Sequence, residues 1–128
     1  MTQYGNNFSK LSHEVIGCAI EVHRNLGAGL LESTYEACLA KEFIDKGIIF
    51  QQQKELPVIY KGNKIDCGYR LDLLVNNQII IELKSVEKLL PIHEAQILTY
   101  MKLSNIRQGL LINFNVKYLK EGIKSFIL

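Results

Sequence analysis

The chain has 128 residues, of which 48% are hydrophobic and 22% are charged, and its formal net charge is +2. This composition is typical of a globular protein and excludes a disordered chain or one with an overwhelmingly basic surface. No apolar segment approaches the roughly 20 residues that a membrane span needs. We therefore expect one soluble domain over residues 1–128.

Two further features bear on location and partners. Residues 1–7 are polar and lack the apolar core of a signal peptide. The cysteines Cys18, Cys38 and Cys67 are far apart and form no CxxC pair, so we interpret them as reduced, buried side chains. Both features favour the cytoplasm.

Positive charge is concentrated towards the C-terminus. Residues 102–128 contain one acidic residue, Glu121, and the following basic residues: Lys102, Arg107, Lys117, Lys120 and Lys124. This basic C-terminal portion could contact phosphates, and an ordinary solvated face is the alternative.

The periodicity predicts helices before strands. Residues 10–25 have apolar side chains at helical spacing, with Ser9 or Ser12 as the N-cap. A second helix is predicted over residues 30–46, ending at Gly47, and a third over residues 91–105. The predicted strands are 48–53, 56–60, 65–75, 78–84, 108–113 and 122–128. This order predicts an α/β or α+β sandwich around a mixed sheet.

Three charged residues interrupt the apolar strands: Asp72 in one strand, and Glu82 and Lys84 in the next. Charged side chains are rarely buried unless they are paired or hold a metal. Two adjacent carboxylates repel each other, and a divalent cation such as Mg²⁺ removes that conflict. A lysine beside them could orient or deprotonate a water. Two carboxylates and a lysine are together the groups that metal-assisted phosphodiester hydrolysis requires.

The turn between these strands decides whether the carboxylates meet. A two-residue hairpin at Asn76 and Asn77 would send Glu82 to the face opposite Asp72. A three-residue loop or a bulge would pair Asp72 with Glu82, so the functional interpretation predicts an irregular turn. The alternative is that Glu82 and Lys84 form ordinary ion pairs with Arg70 and Asp72 at a sheet edge.

Asp72 followed by Glu82-Leu83-Lys84 resembles the core signature of the PD-(D/E)XK nuclease superfamily, although Leu71 stands where its proline would be. The segment from Gly29 through Glu32 to Tyr35 resembles the pattern of the GxxExxY family, small bacterial proteins assigned to that superfamily. Gln96 and Tyr100 resemble the QxxxY helix motif of its RecB-like nuclease branch.

The resemblance implies a restriction-endonuclease-like αβββαβ core, with a mixed central sheet flanked by helices and an extra N-terminal helix. It implies that Asp72 and Glu82 are the main ligands of Mg²⁺ or Mn²⁺, with Glu32 as a third acidic residue. Lys84 would be the catalytic lysine, and Gln96 and Tyr100 would support the site from the helix. The residues alone favour other interpretations: Glu32 as a helix-start residue, Tyr100 as a core aromatic and Glu36 as a surface residue.

The leading interpretation is a metal-dependent nuclease acting on nucleic acid, with DNA as the favoured substrate. The small core leaves little room for base-reading elements, so a homodimer or a partner subunit could extend the binding surface. The alternatives are a non-catalytic module that keeps the fold and binds nucleic acid or a protein, and a structural protein with ordinary ion pairs.

Overall fold

The computed structural model describes residues 9–128, so the polar segment 1–7 and the prediction drawn from it lie outside the described residues. The elements in chain order are α1 (Lys10–Leu26), α2 (Glu32–Asp45), β1 (Phe50–Glu55), β2 (Val58–Tyr60), β3 (Asn63–Ile65), β4 (Arg70–Val75), β5 (Ile79–Lys84), α3 (Pro91–Ser104), β6 (Gln108–Asn113), a short 3-10 helix (Leu119–Gly122) and β7 (Ile123–Ile127). The first helix begins as predicted, because the Ser9 side chain accepts a hydrogen bond from the Ser12 backbone N–H.

The central sheet has five strands in the order β1-β4-β5-β6-β7, and only β5 and β6 run parallel. Helices α1 and α2 pack on one face of this sheet, and α3 packs on the other. The series α2-β1-β4-β5-α3-β6 is the αβββαβ core with α1 added before it. The predicted fold class is therefore confirmed.

Alternation along β5 decides which face each of its side chains occupies. Ile79, Ile81 and Leu83 belong to the hydrophobic cluster under α1 and α2, whereas Ile80 belongs to the cluster under α3. Glu82 and Lys84 have the same parity as Ile80, so their side chains leave the strand on the α3 face.

The predicted continuous strand over residues 65–75 is wrong. The chain breaks between β3 and β4, where Gly68 has a φ of 76° and its N–H donates to the Asp66 side chain at 3.0 Å. This local turn separates the β2-β3 hairpin from the main sheet. As a result Cys67 is exposed, contrary to the burial expected from the sequence. The boundary between the first two strands also differs from the predicted one at residues 53–56, since β1 continues to Glu55 and β2 begins at Val58.

Among the helices of residues 9–128, none combines the length and the apolar character needed to cross a bilayer.

The segment that follows β5 is anchored by a buried amide. The Asn113 side chain donates to the Val86 carbonyl at 2.9 Å and accepts from the Val86 N–H at 3.1 Å.

The backbone of Gly122 packs directly against that of Asn113. A Cβ at Gly122 would lie 2.1 Å from the Asn113 backbone oxygen. The close approach of the two backbones requires glycine.

We predict that Gly122→Ala destabilises the protein by about 1–3 kcal/mol, because the backbone of β6 must move to admit the methyl group. The matched control is Gly17→Ala in α1, where a Cβ meets nothing within 4 Å and alanine favours the helix by about 0.5–1 kcal/mol. Urea unfolding of both variants checks this. Equal stability of Gly122→Ala and wild type would contradict the packing described here.

Candidate active site

The loop between β4 and β5 has the irregular form that the functional interpretation required. It contains three residues, 76–78, since Val75 lies opposite Ile79. Both of its asparagines have positive φ, 51° and 53°, a conformation that asparagine tolerates better than most residues. Continued along the strands, this register places Asp72 opposite Glu82, so the prediction of a three-residue loop is confirmed.

The carboxyl groups of Asp72 and Glu82, the carboxyl pair, lie where the β4-β5 ladder ends. Asp72 Oδ2 accepts a hydrogen bond from the Leu83 backbone N–H at 2.8 Å, and Glu82 Oε1 accepts one from the Asp72 backbone N–H at 3.3 Å. Each carboxyl group thus takes a backbone donor of the opposite strand. Because both donors belong to strands, these bonds hold both side chains on the rigid sheet and not on a flexible loop.

Burial gives the carboxyl pair unusual electrostatics. Glu82 is 5% exposed. Burial first, and then the negative charge of Asp72, raise the pKa of the Glu82 carboxyl to about 9, while the positive charge of Lys84 lowers it in part. At neutral pH and without a cation, the Glu82 carboxyl therefore carries a proton that it shares in a hydrogen bond with Asp72.

The alternative of ordinary ion pairs at a sheet edge does not describe this site. Strands β4 and β5 lie inside the sheet, and the Arg70 guanidinium is 3.6 Å from Glu55 instead. Across residues 9–128, no salt bridge includes Asp72, Glu82 or Lys84. The half-buried lysine is therefore available to a ligand of the carboxyl pair.

Helix α3 places Gln96 and Tyr100 on the same side of the sheet as the carboxyl pair. The Gln96 amide donates to the Tyr100 hydroxyl at 3.1 Å, and Tyr100 is 7% exposed. Burial, and then the negative charge of Glu82, raise the pKa of the Tyr100 hydroxyl above its ordinary value. Tyr100 is therefore a neutral, oriented hydroxyl close to the carboxyl pair.

Glu32 is the first residue of α2 and is exposed at the end of β5. Its Oε2 accepts a hydrogen bond from the backbone N–H of Ser85, the residue after Lys84, at 3.3 Å. Within residues 9–128, no three histidine, cysteine or acidic side chains are close enough together to hold a metal ion. Glu32 thus contacts the residue after Lys84 but does not form a three-residue cluster with the carboxyl pair. Its part in metal binding stays a prediction.

Two residues that the sequence did not suggest for function, Gln53 and Glu36, form a chain of contacts to Asp72. Gln53 of β1 lies between residues that pair with Leu73 and Leu71, the two neighbours of Asp72. Its φ is 50°, which is unusual for a residue inside a strand. Its side-chain amide donates to Glu36 Oε1 at 2.8 Å and to Asp72 Oδ1 at 3.4 Å. Glu36 is half-buried and belongs to this chain of contacts, whereas the sequence suggested a surface residue. The only sequence signal was the run of glutamines at residues 51–53.

The domain has a mixed five-stranded sheet flanked by helices, and an acidic pair and a lysine lie on its central antiparallel strands. This is the architecture of a restriction-endonuclease-like domain. The family model of the PD-(D/E)XK nuclease superfamily matches residues 9–126. The chain belongs to this superfamily. No curated protein and no solved structure matches it. The narrower assignments to the GxxExxY family and the RecB-like branch stay predictions.

The raised pKa of Glu82 predicts a pH-dependent stability. The folded, cation-free protein holds this proton up to about pH 9, whereas an unfolded chain releases it near the ordinary value of 4.5. Since the folded state binds more protons in this window, this carboxyl makes the free energy of unfolding fall as the pH rises through it. We expect Glu82→Gln to flatten that fall, because an amide does not titrate. Urea unfolding in EDTA across the window measures the effect, and parallel pH profiles for both proteins would refute it.

The contacts of Gln53 predict a positioning effect on Asp72. If Asp72 is a metal ligand, Gln53→Ala should weaken Mn²⁺ binding by about tenfold, the lower end of the loss typical for residues that orient a metal ligand. Titration calorimetry measures this affinity. The control is Gln51→Ala, which removes an exposed glutamine from the same strand. If both variants bind Mn²⁺ as wild type does, Gln53 has no part in the site.

Proposed function

We propose that this chain is a Mg²⁺- or Mn²⁺-dependent nuclease that hydrolyses phosphodiester bonds in nucleic acid, with DNA as the first substrate to test. The observation that carries the proposal is the contact between the Asp72 and Glu82 carboxyl groups, with Lys84 on the same face of β5. Membership of a nuclease superfamily supports the same reaction class.

The carboxyl pair fits a hard divalent cation. Two carboxyl groups that must share a proton when no cation is present offer oxygen ligands to an ion that displaces the proton. Asp72 and Glu82 would hold the ion, with Glu32 contributing through water from the end of β5. When bound, a divalent ion supplies Lewis-acid polarisation of a phosphate oxygen and of an attacking water.

The remaining roles belong to side chains of this chain. Lys84 Nζ would orient or deprotonate the water and stabilise negative charge that develops on the phosphoryl oxygens. The Tyr100 hydroxyl, held by Gln96, would donate a hydrogen bond to an oxygen at the site, since it stays protonated.

We assign all residues to a single domain that acts in the cytoplasm, where free cysteines stay reduced. A homodimer or a partner subunit could add to the binding surface through β1 or β7, the edge strands of the sheet.

We predict that Lys84→Ala lowers the cleavage rate by about 10²–10⁴-fold, the usual contribution of a positioned proton-transfer group. The variant should keep the Mn²⁺-induced rise in melting temperature, because the carboxyl pair is intact. Labelled DNA and RNA panels incubated with Mg²⁺ or Mn²⁺ measure cleavage. The control is Lys88→Ala, an exposed lysine in the loop after β5.

Asp72→Asn should lose both cleavage and the melting shift. Equal trace cleavage by wild type and Lys84→Ala would refute the enzymatic proposal. If the melting shift persisted in that case, the result would favour the non-catalytic module that keeps the fold.

A further inference from the structure

A basic cleft lies outside the carboxyl site, between the C-terminal end of α1 and the segment after β6. Its volume is about 510 Å³, and its lining includes His23, Arg24, Gly27, Lys117, Tyr118 and Lys120. We call this surface the basic cleft. Nothing in the nuclease chemistry described above uses it.

Two lysines supply the available charge of the basic cleft. Arg24 is already engaged by Glu21 at 2.5 Å. Lys117 and Lys120 are exposed, and no salt bridge among residues 9–128 includes either of them. Lys117 Nζ lies 5.4 Å from the centre of the Tyr118 ring, and Tyr118 is 63% exposed. An ammonium group over an exposed aromatic ring, with a second lysine in the same cleft, is suited to a nucleic-acid strand.

The other basic residues near the C-terminus do not share this position. Lys124 pairs with Glu94 of α3, and the Arg107 guanidinium donates to the backbone oxygen of Leu128. Lys102 lies in the last turn of α3, at the end of the helix remote from the β5-α3 loop. Only Lys117 and Lys120 of the basic C-terminal portion therefore line the basic cleft.

Two of the segments that line the basic cleft also line a second cavity, whose lining includes the residue after Lys84. This second cavity of about 490 Å³ is lined by Gly29, Leu30, Thr34, Ser85 and Asn115, among others. The loop before α2 and the segment after β6 each contribute residues to both cavities. The lining of this second cavity includes Ser85, which follows Lys84 and whose backbone N–H donates a hydrogen bond to Glu32.

We propose that the basic cleft binds backbone phosphates of the nucleic-acid substrate at a distance from the bond that is cut. The strand would run from the carboxyl pair past Ser85 and Asn115 to Lys117 and Lys120. This inference rests on the proposed function. It adds the path of the substrate strand and a set of contacts that do not depend on the base sequence. Contacts to phosphate give affinity and register but carry no base specificity.

The test compares two double variants with the same loss of charge. Lys117→Ala/Lys120→Ala removes the cations of the basic cleft, whereas Lys10→Ala/Lys102→Ala removes exposed lysines from the first turn of α1 and the last turn of α3. Binding is measured by fluorescence anisotropy in the Lys84→Ala background. The probes are labelled single-stranded and duplex DNA long enough to span both cavities, over a series of salt concentrations.

We expect the slope of log affinity against log salt to become less steep by about 1.4–1.8 in the cleft variant, since each lost phosphate contact removes about 0.7–0.9. The control variant should keep the wild-type slope. With Lys84 restored, the cleft variant should show a raised KM for the long substrate and an unchanged kcat, because remote contacts are equal in the ground and transition states. Its hydrolysis of bis(4-nitrophenyl) phosphate, which reaches only the carboxyl site, should equal that of wild type.

Equal weakening by both double variants, or none by either, would overturn the inference while wild-type cleavage still supported the nuclease. If wild type cleaves nothing but the cleft variant alone loses salt-dependent binding, the phosphate grip stands and the catalytic proposal fails. If wild type neither binds nor cleaves nucleic acid, both proposals are overturned.

Discussion

The contact between the Asp72 and Glu82 carboxyl groups is the constraint on which the rest of the site depends. It requires one strand register, because a slip of one residue would put the two side chains on opposite faces. It also ends the β4-β5 ladder, since each carboxyl group accepts a backbone N–H of the opposite strand. Two negative charges at this depth then need a proton or a cation between them. Geometry and chemistry thus follow from one pair of side chains.

The sequence predicted this pair because its signals are local. Charges inside Ile- and Leu-rich strands are conspicuous, and two asparagines after β4 favour positive φ. The break at residues 66–69 and the conformation of Gln53 were not predictable in the same way. The first depends on a side-chain hydrogen bond of Asp66, and the second on contacts with α2 and β4. Strand propensity describes neither interaction.

The three fixed positions of the Gly29, Glu32 and Tyr35 pattern have different physical roles. The Tyr35 hydroxyl donates to the Gly27 carbonyl at 2.6 Å and accepts from the Leu30 N–H at 3.2 Å, and its ring stacks on Phe114. Gly29 has a φ of 95°, which a side chain would oppose. Glycine and tyrosine therefore hold the loop, and only the glutamate is left free to reach the end of β5. The sequence could suggest Glu32 for function, but it could not separate these roles.

The apolar surroundings of Glu82 explain why its carboxyl holds a proton when no cation is bound. Ile80 and Leu111, both fully buried, belong to the cluster beneath α3, into which the Glu82 side chain projects. Water is scarce there, so a lone carboxylate is costly. The Asp72 backbone N–H and the charge of Lys84 offset part of this cost, whereas the Asp72 carboxyl favours the protonated form of Glu82. A more solvated glutamate would fold more easily but would give up a proton at ordinary pH and attract a cation less strongly. Under the proposed function, the same burial that makes the cation-free pair hold a proton would favour the exchange of that proton for a metal ion.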